Sequence, residues 1–206
     1  MSDAGSVEAL ARRLMPQGFG CAVVRLSEPA PDLLPEERAM IARAVPKRRH
    51  EFALGRHALR LALADAGHDL PSGHPLVSLP DRRPALPQGI RASLAHGGEF
   101  CVAIAAPPGG PSVGVDIEAA QHALPETLAE TVAPYRMKED APLLAFCVKE
   151  AMFKAQYPLT GRMLDFCDVP TVIRGARVRG CLGKRLIGAR WGQVAGHYIA
   201  VSLWRG

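Results

Sequence analysis

Apolar positions along the chain alternate between two periodicities, and most of the predicted elements follow from where one gives way to the other. Val7, Leu10, Ala11 and Leu14 recur at helical spacing, with Ser6 as a cap and Pro16 and Gly18 as stops. Phe19 to Leu26, centred on Cys21 to Val24, predicts a strand. Pro35 opens a short helix with Glu36 and Glu37 in its first turn, where the helix dipole favours acids. Pro46 opens a longer one, Lys47 to Ala66, closed by Gly67. Its stripe is Phe52, Leu59, Leu63 and Ala66, and Arg49, Arg56 and Arg60 form a cationic ridge beside it.

Residues 67–90 are rich in Pro and Gly around one predicted strand, Leu76 to Leu79, and a loop of that length predicts a functional role. Phe100 to Ala106 reads as a strand. The turn Pro107 to Pro111 predicts a hairpin between it and the strand Ser112 to Glu118. Period two places Asp116 and Glu118 on one face of that strand and Val115 and Ile117 on the other. A helix is predicted over Leu124 to Val132, and Pro142 opens another. An antiparallel meander of three strands follows: Thr171 to Val178, Gly180 to Ile187 and Val194 to Trp204.

The helix after Pro142 departs from the usual amphipathic pattern. Leu143, Leu144, Phe146, Cys147, Val148, Ala151, Met152, Phe153 and Ala155 leave almost no polar face, which predicts burial. Yet Lys149, Glu150 and Lys154 lie within it, and Glu150 and Lys154 are one turn apart. That pair reads either as an ordinary surface ion pair or as two charges kept in an apolar setting for a chemical use.

A weak internal repeat joins these elements: a long helix, a loop and a His-containing strand occur in each half, at His96 to Ala105 and at Gly196 to Leu203. The fold class predicted is α+β, a pseudodimer of two similar halves, approximately 1–110 and 111–206, forming a single domain. Composition fits an ordinary globular chain: 206 residues, 48% hydrophobic and 22% charged. No apolar run is long enough for a membrane span, and the N-terminal segment does not read as a signal peptide. Five scattered cysteines without a C-x-x-C pair predict reduced thiols in a cytoplasmic protein. A net charge of +5 predicts a polyanionic partner, and the 5% aromatic content argues against single-stranded nucleic acid.

Three sets of side chains have complementary chemistry. Asp116, Glu118 and Glu150 offer carboxylates suited to a hard divalent cation such as Mg²⁺, with Mn²⁺ as the alternative. Arg49, Arg56, Arg83, His96 and Lys154 offer cations for phosphate. Taken alone, each of these elements also reads as a solvated face, a strand end or a turn, and for the arginine ridge, His96 and the Asp116/Glu118 pair that is the commoner reading. No P-loop, dinucleotide fingerprint, nucleophile elbow or zinc spacing occurs. Together the sets indicate metal-assisted transfer or hydrolysis of a phosphate ester.

Gly114-Val115-Asp116-Ile117-Glu118, followed about thirty residues later by Lys149-Glu150-Ala151-Met152-Phe153-Lys154-Ala155, resembles the paired signature of the 4′-phosphopantetheinyl transferases. Gly55-Arg56, Arg83-Pro84 and Ser93-Leu94-Ala95-His96 resemble the same family in order and spacing. Phe153 to Pro158 followed by Leu164 to Asp168 resembles the enterobactin-synthetase-associated branch, which serves siderophore and other non-ribosomal peptide synthetases. The resemblance implies coenzyme A bound in a cleft between the halves, with Asp116, Glu118 and Glu150 on Mg²⁺ against its pyrophosphate. His96, Arg56 and Arg83 would meet phosphate, and Arg49, with Arg48 as the alternative, would lie near the adenine or 3′-phosphate. Lys154 would stabilise the leaving group and Glu150 would serve as base. The implied reaction moves the phosphopantetheine arm from coenzyme A to a serine of an apo carrier protein and releases adenosine 3′,5′-bisphosphate. A monomer is expected. A metal-dependent phosphodiesterase and a non-catalytic carrier- or nucleotide-binding protein are the competing readings.

Two departures from the family pattern stand out. Ala95 replaces a hydroxyl residue before the histidine, a lost phosphate contact of on the order of 1 kcal/mol that Ser93 or an arginine would offset, so Ala95→Ser is expected to tighten coenzyme A. Cys147 and Val148 precede Lys149 where many members have an aromatic and a small polar residue. Lys149 is left without a role beyond a guessed coenzyme A contact.

Overall fold

In a computed structural model of the chain, residues 3–121, 125–139 and 141–206 are described. The first half carries helix α1 (Asp3–Arg13), strand β1 (Gly20–Arg25), helices α2 (Pro35–Met40) and α3 (Pro46–Asp65), and strands β2 (Ala92–Gly97) and β3 (Phe100–Ala105). The second carries β4 (Ser112–Ala119), α4 (Leu128–Thr131), β5 (Tyr135–Arg136), α5 (Pro142–Thr160) and strands β6 (Thr171–Arg174), β7 (Arg177–Leu182), β8 (Arg185–Val194) and β9 (His197–Trp204). The α+β class predicted from the pattern is the class observed.

Two sheets organise these elements. β3 is the middle strand of an antiparallel sheet in the order β1-β3-β2, and the second sheet runs β4-β9-β8-β7-β6-β5, antiparallel except for β5 beside β6. β3 is buried on both faces. Cys101, Ala103 and Ala105 join Leu54, Leu59, Ala62 and Leu63 of α3 in one core layer. Phe100, Val102 and Ile104 face the other way and share a layer with Val113, Val115 and Ile117 of β4 and Leu10 of α1. α5 buries Cys147, Val148, Ala151, Met152 and Ala155 against Ile173, Val178, Ile187 and Ala200. At about 1.5–3 kcal/mol per large side chain fully buried, the layer shared by β3 and β4 is a major tie between the halves.

Several boundaries differ from the sequence reading, each for a local reason. The predicted hairpin from β3 to β4 does not form, because β1 and β2 already occupy both edges of β3 and the chain crosses to pair β4 with β9. Ser6 lies inside α1 rather than capping it. Leu76 to Leu79 makes only an isolated bridge, Ser78 with Pro84. The stretch read as one strand from Thr171 to Val178 turns at Gly175, whose φ of 53° lies in the left-handed region, giving two strands and a meander one strand longer. Of the helix predicted over Leu124 to Val132, Leu124 lies outside the described residues and Leu128–Thr131 is helical.

The halves share one contact that explains how closely helix and sheet approach. A Cβ on Gly20 of β1 would lie 1.9 Å from the Ala62 carbonyl oxygen and 2.6 Å from the Ala66 nitrogen of the helix above it. A Cβ on Gly114 of β4 would lie 2.0 Å from the Ala151 carbonyl oxygen and 2.6 Å from the Ala155 nitrogen. In each half the first strand of the motif therefore has a glycine where the backbone of the long helix rests on it.

Glu37 stands in the first turn of α2 as expected, and it does more than complement the helix dipole. It is fully buried, accepting from the Leu76 N–H at 2.7 Å, from the Leu34 N–H at 3.2 Å and from the Arg60 guanidinium. Burial alone would raise its carboxyl, but the bonds from Arg60 and the backbone outweigh burial and hold it below the ordinary range. Its stabilisation is therefore complete above an unfolded value of about 4.3 and is lost as pH falls through the lowered folded value. Glu37→Ala strands the Leu76 N–H and should cost about 1–3 kcal/mol. Denaturant melts at pH 7 and pH 3 check this: the variant should lose less than the wild type on acidification, and equal losses would exclude Glu37 as the acid-sensitive group.

Candidate active site

The junction is built where β2, the edge of the first sheet, lies along β4, the edge of the second. The Ser93 hydroxyl accepts from the Val115 N–H at 3.1 Å. A Cβ on Gly97 would sit 2.0 Å from the Ile117 carbonyl oxygen, so only glycine allows this approach. Asp116 follows Val115 and points toward α5 while Val115 and Ile117 fill the core, as the strand period requires.

Asp116 and Lys154 form the central pair. The Lys154 ammonium donates to Asp116 Oδ1 at 2.7 Å and to the Val115 carbonyl at 3.2 Å. Asp116 is 5% exposed, and its Oδ2 is buried without a hydrogen-bond partner. Burial opposes the charge on Lys154, yet the Asp116 carboxylate outweighs it and holds the ammonium above its ordinary range. Lys154 is thus paired with Asp116 of the neighbouring strand β4 rather than with Glu150 along its own helix, as helical spacing alone suggested.

Two further carboxylates feel this pair. Burial pushes the Glu118 carboxyl up to about 7, and Asp116 and Glu150 add to the rise while Lys154 opposes it. Glu150 is also raised, by burial and then by Asp116, with Lys154 opposing. Among the described residues, no three His, Cys, Asp or Glu side chains are gathered into a metal-binding group as they stand. The three carboxylates are an electrostatically coupled set rather than a closed coordination sphere. An orphaned buried oxygen on Asp116 and acids that repel one another are nevertheless the donors a hard cation selects.

Beside this set opens a cleft of about 470 Å³. Its walls include the 79–91 segment, β2 from Ala92 to Leu94, and Glu150, Phe153, Lys154 and Tyr157 of α5. The long Pro-rich segment is therefore a wall of the cleft. Arg83 enters this wall with its guanidinium 5.0 Å from the centre of the Tyr157 ring and 2.7 Å from Asp81, while Tyr157 stacks on Phe153.

The remaining predicted residues divide. The His96 ring meets the Glu51 carbonyl at 3.1 Å, and Arg48 lies 3.8 Å from the Glu51 carboxylate. Burial lowers His96 below its ordinary value; Glu51 opposes this, and Arg48 and Lys154 reinforce it. Arg49 points elsewhere, donating to the carbonyls of Ala42 and Ala44. Arg56 is 4% exposed, lies over the Phe52 ring, and donates to the Leu76 carbonyl at 2.5 Å and to Ser78 Oγ at 2.8 Å. Burial brings it down to about 10. The expected ridge of Arg49, Arg56 and Arg60 is thus not one free cationic face: Arg56 and Arg60 hold the 74–78 segment, and Arg60 is paired with Glu37.

Lys149, left without a role by the sequence, has a structural one. It is buried, and its ammonium donates to the carbonyls of Pro134 at 3.0 Å and Phe166 at 2.7 Å, away from the cleft residues. Burial brings it down to about 8. It anchors the chain on either side of α5. Ala95 is likewise 4% exposed in the layer with Val102 and Val115, so it does not leave a gap in the cleft. Ala95→Ser should therefore bury a hydroxyl at a cost of about 1–3 kcal/mol and add no contact for a phosphate ligand in the cleft. Calorimetric titration together with a thermal melt tests this.

Three residues of the site were missed in the sequence reading: Glu51, Asp81 and Tyr157. Glu51 follows Arg48 by three positions on one helix face and could have been found by that spacing. Asp81 is two residues from Arg83, but nothing in the sequence shows that Tyr157 comes under the same guanidinium.

Comparison with known proteins adds to this geometry. Residues 36–106 match the model of the 4′-phosphopantetheinyl transferase N-terminal domain. The chain is 41% identical over 161 residues to 4′-phosphopantetheinyl transferase Svp of Streptomyces mobaraensis, covering 71% of this chain and 63% of that protein. It is 35% identical over 146 residues to 4′-phosphopantetheinyl transferase PptT of Mycobacterium tuberculosis, covering 66% of this chain and 63% of that protein. Npt of Nocardia iowensis, also named a 4′-phosphopantetheinyl transferase, is 38% identical over 145 residues, covering 64% and 62%. The chain spans somewhat less than two thirds of the length of these curated relatives. These matches relate it to the 4′-phosphopantetheinyl transferases, the family its paired acidic signature resembles.

Proposed function

We propose that this chain transfers the 4′-phosphopantetheine arm of coenzyme A to a serine hydroxyl of an apo carrier protein. The observation that carries this reading is the cleft in which Glu150, Lys154 and Arg83 face the same space, with Asp116 held on Lys154 behind them. Transfer of a phosphoryl group depends mainly on positioning and on neutralising charge, and a paired ammonium and guanidinium beside acids supply both. The acceptor serine must lose a proton, and Glu150, whose carboxyl is raised by burial, is the base within the cleft. Lys154 meets the charge that develops on the leaving pyrophosphate oxygen. Arg83 binds phosphate once drawn from Asp81. His96, with Arg48 nearby, would receive a second phosphate, while Arg49 and Arg56 would have to leave their present partners to do so.

Mg²⁺, or Mn²⁺ in its place, would be held by Asp116, Glu118 and Glu150, and would supply charge neutralisation at the pyrophosphate. The acids themselves fit this role, since Asp116 has a buried oxygen without a partner. The reading extends to a single catalytic domain whose halves, 1–110 and 111–206, meet at the cleft, and to a monomer. The Phe153 to Pro158 and Leu164 to Asp168 pieces support the branch that serves siderophore and other non-ribosomal peptide synthetases. All five cysteines are free, three of them buried, which suits the reducing cytoplasm. No helix among the described residues is long and apolar enough to cross a membrane.

The test is transfer itself. Incubation with coenzyme A, Mg²⁺ and apo carrier domains should add the mass of one phosphopantetheine arm to the carrier. Glu150→Gln should reduce the rate by about 10²-fold or more while leaving the fold intact. No mass gain with several carriers, together with cleavage of simple phosphodiesters, would replace this reading with hydrolysis.

A further inference from the structure

The outer face of the second sheet presents arginines without counter-charges. Every charged side chain after Asp168 is Arg or Lys. Along β6 and β7 buried and exposed positions alternate, so Ile173 and Val178 pack toward α5 while Arg174, Arg177 and Arg179 face outward. Register places them in rows. Arg174 lies opposite Arg177, which lies opposite Arg190 on β8. The next row runs Arg136, Val172, Arg179 and Gly188, and the one after it pairs Cys181 with Leu186.

Like charges directly opposite across a sheet destabilise it, and the usual remedy is a carboxylate in the same row. Here none is present: among the described residues, Arg136, Arg174, Arg177, Arg179 and Arg190 have no ion-pair partner. The face is also hollow, with a depression of about 650 Å³ lined by four of these arginines together with Val172 and Leu186. Leu186 is 67% exposed beside them. A surface that maintains unrelieved repulsion around an apolar floor is matched by an acidic ligand with apolar side chains of its own. Guanidinium forks pair bidentately with carboxylates. A nucleic acid backbone would satisfy the arginines but gain nothing from Leu186 and Val172.

We propose that this arginine face is a second docking surface, separate from the cleft, that holds an acidic surface patch of the carrier domain. The identity of that partner rests on the transferase reading given above. Docking there would raise the local concentration of the acceptor serine and make capture of the carrier dependent on ionic strength.

The experiment compares the wild type with R174E/R177E/R179E and with the milder R174Q/R177Q/R179Q, each checked for an unchanged thermal melt. Fluorescence anisotropy of a labelled intact apo carrier domain reads docking without turnover. Affinity should fall at least tenfold in the charge-reversed variant and less in the Gln variant, and rising salt should weaken only the wild type strongly. In turnover, KM for the intact carrier should rise while KM for coenzyme A, and the rate on a short peptide containing the acceptor serine, stay the same. Equal carrier affinity in all three proteins overturns the proposal even where transfer is normal. A loss of affinity in the variants supports it even where the wild type transfers nothing, which would count against the transferase reading alone. Binding of duplex DNA or anionic vesicles by this face, with no binding of the carrier, also overturns it.

Discussion

Lys154→Met is expected to lower stability by about 3 kcal/mol and to abolish the proposed transfer. The substitution preserves most of the volume in α5 but takes from Asp116, 5% exposed and already raised by burial, the ammonium at 2.7 Å that opposes this rise, so the carboxyl must either stay charged and unpaired or take up a proton. A buried pair contributes little net stability while both partners are present, because desolvation offsets attraction; removing one partner exposes the whole desolvation cost of the other. Lys154 itself keeps 28% of its side-chain surface open to the cleft, which puts the expected cost at the lower end of the range for such pairs. In a chain of this size the thermal midpoint should fall by roughly 6–12 °C. Asp116→Asn/Lys154→Met is the informative companion. With neither charge buried alone, most of the lost stability should return, while transfer should remain absent because the charge proposed to meet the leaving group is still gone. A single variant as stable as the wild type would show that Asp116 does not depend on Lys154.

The contrast between these two variants separates what the pair does for the fold from what it does for chemistry. It also marks the point where sequence reasoning succeeded and where it stopped. Strand period was enough to put Asp116 on the face opposite Val115 and Ile117, because alternation is a local property of a strand. Helical spacing was enough to put Glu150 and Lys154 on one side of α5, but not to reveal that Lys154 turns to a strand 38 positions earlier. The same limit separates Arg83 from Arg56. Both were read as phosphate-binding cations, yet Arg83 faces the cleft whereas Arg56 is buried in bonds to Leu76 and Ser78. A guanidinium finds its partner through the tertiary path of a loop, and residues 67–90 have almost no periodicity from which that path could be read. The hairpin between β3 and β4 failed for a similar reason. The Pro- and Gly-rich turn was legible, but the occupation of both β3 edges was not.

The remaining large effect concerns backbone rather than charge. Gly114→Ala should reduce stability by about 3 kcal/mol, at the upper end of overpacking costs, and reduce transfer further than the loss of folded protein explains. The added Cβ would sit 2.0 Å from the Ala151 carbonyl oxygen and 2.6 Å from the Ala155 nitrogen, the two ends of one helical hydrogen bond. Neither atom can rotate away as a side-chain tip would, so α5 must withdraw from β4. Withdrawal lengthens the Lys154 bonds to Asp116 and to the Val115 carbonyl, and moves Glu150 with them. A displacement near 1 Å in a positioned group costs on the order of 10² in rate. Gly20→Ala supplies the control, because it drives α3 away from β1 through the same contact, with a Cβ 1.9 Å from the Ala62 oxygen. Both variants should melt at similarly lowered temperatures, but turnover measured at saturating coenzyme A and well below those temperatures should fall much further for Gly114→Ala, since α5 carries Glu150 and Lys154 while α3 carries only the arginines proposed to bind phosphate. Equal losses of turnover would mean that the position of α5 on β4 does not set the reacting geometry. A larger loss for Gly114→Ala ties the acids and the ammonium to one backbone contact, which glycine alone allows at this point in the strand.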